Sequence, residues 1–386
     1  MGERVYLDNL TVAPVLPEVA QVMCRSLGEG ATSAGSLHRE GMRARKIWET
    51  AREKSARFVG ARSPEDIVFT ASPNEALNLA LLGSVRASEQ PRRHIILSAT
   101  EHPCLRSASL QLAAEGVEVS ILPVDRAGIV DPAMLSSMVK PETVLVAVHH
   151  ANHDTGAIQP IAAISSILAQ HTAILLVDAT ASNGWTTVDV EQLGATLLVL
   201  NPAKFHGPAG LGILYRRRGL ALRSIVHTGD SQTLSDIFPE NVPAAAGLSA
   251  TLEAWEHQGE IWRAGVRTLQ ERLWNRLSQD VKGLHLHGPP LGTLRLPHNL
   301  NFSVEQLEGE GLALALDLKG YAVGSGAACI GRKQAMPHNL AAMGVPKDLG
   351  KRNLLLGLGV DSQQDQIDAF TEISIATIQR QRTFLS

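Results

Sequence analysis

The sequence is poor in cysteine and in aromatic residues. It has 386 residues, of which three are cysteines, and phenylalanine, tryptophan and tyrosine together make up 4%. Cys24, Cys104 and Cys329 are too few for a disulfide framework, and their spacing is not that of a zinc site. We therefore expect a protein of a reducing, cytoplasmic compartment.

The chain also lacks an excess of either charge and any long hydrophobic run. It carries 35 Lys and Arg against 38 Asp and Glu, a net charge of −3, which disfavours nucleic acid as a partner. Apolar runs such as residues 173–177 have the length of strands and fall short of the ~20 residues of a membrane span. No basic segment followed by an apolar one opens the chain, so we expect neither a signal peptide nor a membrane anchor.

Short apolar runs alternate with longer amphipathic stretches over the first 250 or so residues. Helices are predicted at 44–59 and 74–82, and strands at 67–69, 95–97, 117–122, 144–148, 173–177, 196–200 and 212–215. Most of these strands are continuously apolar, which is typical of strands buried on both faces of a mostly parallel sheet. The pattern predicts an α/β fold with a large, doubly wound, mostly parallel sheet.

The pattern changes near residue 250. A long helix is predicted at 250–281, followed by strands at 299–304 and 354–358 and helices at 309–319 and 364–380. This mixture predicts a smaller α+β domain. We expect residues 15–255 to form the large domain, and residues 1–14 together with 256–386 to form the small one.

Two candidate functional residues follow predicted buried strands. Lys204 lies in a turn-forming stretch after residues 196–200, where scarce water would favour an uncharged, nucleophilic amine. Asp178 ends the strand at 173–177, and ligands of α/β folds bind at the carboxyl ends of strands. The alternatives are a surface lysine and an aspartate that caps the next element.

Two further candidates are a histidine and a cysteine. His102 follows the strand at 95–97, where it could stack on a flat cofactor or move protons, although a lone loop histidine is usually structural. Cys329 lies in a loop of small residues that suits an accessible nucleophile, the alternative being a packed side chain. We predict no metal site, since adjacent His149 and His150 would diverge on a strand.

Taken in order, these segments resemble the cysteine desulfurases, pyridoxal-phosphate enzymes of the class V aminotransferase superfamily. The resemblance runs nearly from end to end. The segments that carry it are Tyr6–Asn9, Ser36–Gly41, Val68–Thr70, Thr100–His102, Gly156–Pro160, Val177–Thr180, Lys204, Gly207–Pro208, Glu240–Pro243 and Gly326–Cys329. It implies the fold type I of pyridoxal-phosphate transferases, arranged as a homodimer.

The resemblance also implies a role for each candidate. Lys204 would bond to pyridoxal phosphate and move protons, Asp178 would hold the pyridine nitrogen protonated, and His102 would stack on the ring. Cys329 would take sulfur from L-cysteine or a related thiol as a persulfide, with release of alanine. The implied partners are an amino-acid or thiol substrate and a sulfur-acceptor protein.

Several positions depart from the family pattern. Leu355 stands where the family has an arginine that grips the substrate carboxylate, and a charge-assisted pair is lost with it. Of the remaining binding positions, Ser72, Asn74 and Asn201 can still donate hydrogen bonds to phosphate, and His153 replaces an asparagine near the ring. Asp236, near a position that serves phosphate in the family, would repel it.

These departures leave three functions open. The first is a desulfurase-like enzyme with Lys204, His102 and Cys329 as catalytic residues. The second is a non-catalytic paralogue that acts as a scaffold or regulator. The third is another class V reaction, a C–S lyase or an aminotransferase.

Overall fold

A computed structural model describes residues 4–29, 33–226, 240–325 and 336–385 of the chain. The strands are β1 (Val5–Leu7), β2 (Ile67–Thr70), β3 (His94–Ser98), β4 (Glu118–Leu122), β5 (Thr143–His149), β6 (Ile174–Asp178), β7 (Leu197–Leu200), β8 (Gly212–Arg216), β9 (Leu284–Leu286), β10 (Asn299–Val304), β11 (Tyr321–Val323) and β12 (Asn353–Gly357). The helices are α1 (Pro17–Gly28), α2 (Arg39–Phe58), α3 (Pro73–Asn78), α4 (Ser84–Ala87), α5 (Pro103–Ala114), α6 (Pro132–Met138), α7 (Ile161–Leu168), α8 (Val190–Leu193), α9 (Val242–Asp280), α10 (Gly309–Asp317), α11 (His338–Ala342), α12 (Lys347–Gly350) and α13 (Gln364–Leu385).

Within the described residues, seven strands form the large sheet in the order β2-β8-β7-β6-β5-β3-β4. The pairs β4–β3, β3–β5, β5–β6 and β6–β7 are parallel, whereas β8 runs antiparallel to β7 and to β2. The central strands β3, β5 and β7 are buried at every residue, as their continuous apolar runs predict. The predicted mixed α/β fold with its mostly parallel sheet is confirmed.

A second, antiparallel sheet has the order β12-β10-β9. Along β10 the apolar Leu300 and Phe302 alternate with the polar Asn299 and Asn301, so the strand has an apolar face and an amide face. The apolar face belongs to the hydrophobic core, and a separate parallel pair joins β1 to β11. This arrangement matches the strands predicted at 299–304 and 354–358.

Helix α9 is longer than the sequence pattern indicates. It begins at Val242 rather than at residue 250, with Asn241 Oδ1 accepting a hydrogen bond from Ala244 N at 3.1 Å and Pro243 in the first turn. The expected boundary at 255/256 falls inside this helix, and the division into two domains stays a prediction. None of the described helices is both long and apolar enough to cross a membrane.

Candidate active site

The candidate site lies at the edge of the large sheet where the parallel strands β3, β5, β6 and β7 end. His102 follows β3, His153 follows β5, Asp178 is the last residue of β6, and Lys204 follows β7. Parallel strands bring their carboxyl ends to a common edge, so residues far apart in sequence meet there. The edge thereby collects an amine, a carboxylate and two imidazoles.

Lys204 ends a short 3₁₀ turn, Pro202–Lys204, and its side chain is half-buried. The turn is capped by Asn201, whose Oδ1 accepts a hydrogen bond from Ala203 N at 3.1 Å, while Lys204 N donates to Asn201 O at 3.1 Å. Trp185 Nε1 donates to Lys204 O at 3.3 Å. These contacts fix the backbone from which the amine extends.

Asp178 is buried, and its Oδ1 accepts a hydrogen bond from Thr180 N at 2.9 Å. The Asp178 charge opposes the lowering of the pKa of His102 and, after burial, helps to raise the pKa of the Cys104 thiol to about 11. A buried carboxylate at this edge can accept a hydrogen bond from a protonated ring nitrogen, which is the role that the family resemblance implies for Asp178.

His102 caps helix α5, because its Nδ1 accepts a hydrogen bond from Cys104 N at 3.2 Å. The imidazole proton therefore resides on Nε2. Burial, assisted by the Lys204 charge, lowers the pKa of His102, so the ring is neutral at neutral pH. A neutral imidazole at this edge suits stacking on an aromatic group and exchange of a proton.

His153 lies beside His102, with ring centroids 5.3 Å apart in an edge-to-face arrangement. Asn339 Nδ2 donates to Asp154 Oδ2 at 2.7 Å and to His153 Nε2 at 3.4 Å. Burial raises the pKa of Asp154 to about 6, and burial together with the Lys204 charge lowers the pKa of His153 well below its usual value. The predicted site residue His153 thus forms a cluster with Asp154 and Asn339.

The neighbouring histidines His149 and His150 have different partners. His149 Nδ1 lies 3.0 Å from Glu101 Oε1, whereas His150 Nδ1 lies 3.0 Å from Ser182 Oγ. Their side chains diverge as the strand geometry predicts, and among the described residues no cluster of three or more ligands suits a metal ion.

Ser72 and Asn74 lie at the start of α3. Ser72 Oγ caps this helix by accepting a hydrogen bond from Glu75 N at 3.2 Å, and Asn74 is exposed. Asn78 Nδ2 donates to Asn74 O at 2.8 Å and to Cys104 Sγ at 3.0 Å, which links α3 to the helix that His102 caps. These residues are therefore near the candidate site, and the hydroxyl hydrogen of Ser72 remains able to donate.

Two of the predicted positions, Cys329 and Asp236, lie outside the described residues. Leu355 is buried in β12, opposite Asn301 of β10. Of the other cysteines, Cys104 is the half-buried thiol described above and Cys24 is exposed on α1.

The sequence analysis assigned no role to several residues that surround Lys204. Burial raises the pKa of Asp8 and of Asp154 and lowers that of His298; the Lys204 charge opposes the first two shifts and adds to the third. Asp154 could have been found, since it follows the end of β5, but nothing local marks Asp8, His298 or Asn339. Buried polar atoms without a hydrogen-bond partner in the described part of the chain occur beside the site at Thr100 Oγ1, Glu101 Oε2, His298 Nδ1 and Asn339 Oδ1.

Comparison with known proteins gives a consistent result. The model of the family "Aminotransferase class-V" matches residues 5–370. The cysteine desulfurase IscS of Dictyoglomus turgidum is 33% identical over 99% of this chain and 96% of its own length. The cysteine desulfurase IscS 1 of Archaeoglobus fulgidus is 33% identical over 98% of both chains.

Solved structures support the same assignment. A "NifS-like protein" superposes with a TM-score of 0.89 at 27% identity, covering 97% of this chain and 99% of that chain. The apo cysteine desulfurase of Thermococcus onnurineus shares the fold with a TM-score of 0.85, covering 97% and 95%. The family match spans nearly the whole described chain and all three described sheets, and the chain therefore belongs to the class V aminotransferase family.

Proposed function

We propose that this protein is a pyridoxal-phosphate-dependent enzyme of the cysteine desulfurase type. It would take sulfur from L-cysteine or a related thiol as a persulfide on Cys329 and release alanine. The observation that carries the proposal is the meeting of Lys204, Asp178 and His102 at one edge of the large sheet. Relatives of nearly equal length carry the name cysteine desulfurase.

The residues at this edge fit pyridoxal phosphate. Its aldehyde needs an amine, its pyridine nitrogen a carboxylate and its ring a flat neighbour, which Lys204, Asp178 and His102 would supply. Ser72, Asn74 and Asn201 would donate hydrogen bonds to the phosphate, and His153 would lie near the ring. The unpartnered buried atoms of Thr100, Glu101 and His298 are what a site that binds a polar ligand presents.

The chain's own residues would divide the work of the reaction. The cofactor supplies an electron sink for the carbon that bears the substrate amine. Lys204 and His102 would move the protons; His102 Nδ1 accepts from Cys104 N, which leaves Nε2 as the nitrogen that would exchange a proton. Asp178, buried and held by Thr180 N, would keep its charge directed at the ring.

The sulfur transfer balances without a further reactant. A substrate thiol and the Cys329 thiol give a persulfide and the desulfurised substrate: the carbon–sulfur bond breaks, a sulfur–sulfur bond forms, and the carbon takes a proton. The persulfide would then pass to an acceptor protein. We further propose a homodimer in the cytoplasm, as the resemblance implies.

A covalent label tests the proposal. Purified protein is incubated with pyridoxal phosphate, reduced with borohydride, digested and analysed by mass spectrometry. We expect the adduct on Lys204, its loss in Lys204→Ala, and its retention in Lys140→Ala, which removes an exposed lysine paired with Glu118. Sulfide release from cysteine should disappear in Cys329→Ser. Absence of any adduct on Lys204 of the unmodified chain would contradict the proposal.

A second candidate function is favoured by Leu355. Without the arginine that the family uses to hold a carboxylate, the protein could serve as a non-catalytic scaffold, or catalyse another class V reaction such as C–S lysis or amino transfer. A Lys204 adduct without release of sulfide or alanine would favour these readings. Co-purification with a stable partner would then distinguish the scaffold.

A further inference from the structure

The β10–β12 wall, the face of these two strands that contacts Asp154 beside His153, contains amides and one aliphatic side chain. Asn299 Nδ2 and Asn301 Nδ2 both donate to Asp154 O, at 2.9 and 3.2 Å. Leu355 is the antiparallel partner of Asn301, and directly opposed residues place their side chains on the same face. The Leu355 side chain therefore lies on the face that the asparagines turn towards Asp154.

A carboxylate lies next to Leu355. A Cβ atom placed on Gly324 would lie 3.0 Å from Asp8 Oδ1 and 3.5 Å from Leu355 Cβ. The Asp8 carboxyl group and the Leu355 side chain therefore lie close together, next to Gly324. Asp8 also forms a bridge with Gly357, the β12 residue two positions beyond Leu355. The Leu355 side chain is thus flanked by Asp8 as well as by the asparagines.

Two carboxyl groups on this side lie within range of the Lys204 charge. Burial raises the pKa of Asp8 and raises that of Asp154 to about 6, and the Lys204 charge opposes both shifts. Among the described guanidinium groups, Arg352 precedes β12 three positions from Leu355, and Arg106 acts on His338 from an exposed position on α5. As far as the described residues show, a substrate carboxylate beside Leu355 would lose hydration, gain no cation there, and meet two carboxyl groups.

We propose that, among the thiol substrates of the proposed function, the site prefers primary amines that bear no carboxylate next to the amine, such as an aminothiol of the cysteamine type or a cysteine ester, over L-cysteine. Leu355 is the specificity-determining residue, and Asp8 flanks it. This inference rests on the proposed function, because it concerns what condenses at Lys204. The substrate's amine-bearing carbon would carry hydrogen or an uncharged group towards β12.

Binding of two matched ligands to the apoprotein tests the inference without turnover. N-(5′-phosphopyridoxyl)ethylamine and N-(5′-phosphopyridoxyl)-L-alanine differ by one carboxylate, and titration calorimetry gives the dissociation constant of each. We expect the ethylamine compound to bind at least about tenfold more tightly, because the alanine compound must desolvate a carboxylate that gains no cationic partner beside Leu355. Equal or tighter binding of the alanine compound overturns the inference and leaves the proposed function standing. Failure of both ligands and of pyridoxal phosphate to bind overturns both.

Substitutions identify the residues responsible. Leu355→Arg should reverse the preference, whereas Leu318→Arg adds the same charge at a side chain that is 90% exposed and should leave the ratio unchanged. Asp8→Asn should narrow the ratio, and it keeps an oxygen for the hydrogen bond that Thr11 Oγ1 donates at 2.9 Å. This second variant serves if Leu355→Arg does not fold. A preference for the alanine compound that Arg106→Gln removes would show that Arg106 holds the carboxylate, contrary to the inference.

Discussion

The two sheets contribute different chemistry to the same site. The carboxyl edge of the large sheet places Asp178, His102 and Lys204, whose side chains can donate, accept or carry charge. The β10–β12 wall places neutral amides and Leu355. The first region retains the groups that the family resemblance assigns to bond making and proton movement, while the second lacks the group assigned to gripping a carboxylate.

This difference separates two requirements of an enzyme that are often lost together: the groups that carry out the reaction and the groups that bind the substrate. A chain that retains Lys204, Asp178 and His102 but changes Leu355 in the opposing wall and His153 at the same edge fits a change of substrate more readily than a loss of chemistry. The experiments below test each side of that comparison.

The largest effect is expected at the reactive edge. Asp178→Asn keeps the size of the side chain and an oxygen for Thr180 N, but removes the charge. If this charge stabilises the reacting ring, kcat should fall by about 10²-fold or more. Steady-state kinetics of the loaded enzyme measure it, with Asp189→Asn, which alters the cap of α8, as the control. An unchanged kcat would show that the Asp178 charge has no role in the reaction.

The next effect concerns the stability of the opposing region. Arg295 is fully buried and donates to Pro289 O at 2.8 Å, Asn299 Oδ1 at 3.1 Å and His287 O at 2.5 Å. Arg295→Leu leaves these acceptors without donors, so the free energy of unfolding should fall by about 3 kcal/mol or more. Urea denaturation measures it. Arg272→Leu breaks an exposed, solvent-screened pair with Asp368 and should leave the free energy of unfolding nearly unchanged.

One buried histidine in each region provides a matched pH test. Burial lowers the pKa of His150 and of His287 to about 4, from 6.5. Between pH 6.5 and 4 the unfolded chain binds more protons at these residues, so stability is lost as the pH falls through this range, at up to about 1.4 kcal/mol per pH unit for each histidine.

Unfolding by urea across this pH range measures the slope. His150→Gln and His287→Gln should each flatten it by a similar amount, while the exposed His171→Gln should leave it unchanged. A flattening confined to one variant would show that only one of the two regions holds its histidine neutral.

The smallest effect is expected at the predicted phosphate end of the site. Asn74→Ala removes an exposed amide but keeps the backbone oxygen that accepts from Asn78 Nδ2. Affinity for pyridoxal phosphate should fall about fivefold, with no change in the free energy of unfolding. Fluorescence titration measures the affinity. Ser72→Ala should instead reduce stability by about 1 kcal/mol, since it removes a helix cap; an Asn74→Ala variant with unaltered affinity would exclude Asn74 from the site.

The sequence predicted what depends on neighbouring residues. Apolar runs located the strands, the rule that ligands bind at strand ends made Asp178 a candidate, and the turn-forming stretch around Lys204 made the lysine another. The start of α9 was missed because residues 242–249 are mostly small and apolar, so they show no amphipathic period, and Pro243 resembles a helix breaker.

The rest of the site depends on distant segments. Asp8, His298 and Asn339 reach Lys204 or its neighbours from parts of the chain far apart in sequence, and no local pattern encodes such meetings. The pairing of Leu355 with Asn301 is decided by strand register in the second sheet, which the sequence of one strand cannot specify.

His206 has a consequence for the order in which the protein matures. It adopts a φ of 64°, which a residue with a side chain holds only when its surroundings enforce it. His206 lies two residues beyond Lys204, and its ring provides that support. Nδ1 donates to Pro14 O at 2.8 Å, and Nε2 accepts from Val360 N at 3.3 Å. A nascent chain that ends before Val360 lacks one of the two hydrogen bonds that hold the His206 ring close to Lys204. Binding of the cofactor should therefore be among the last events of biosynthesis.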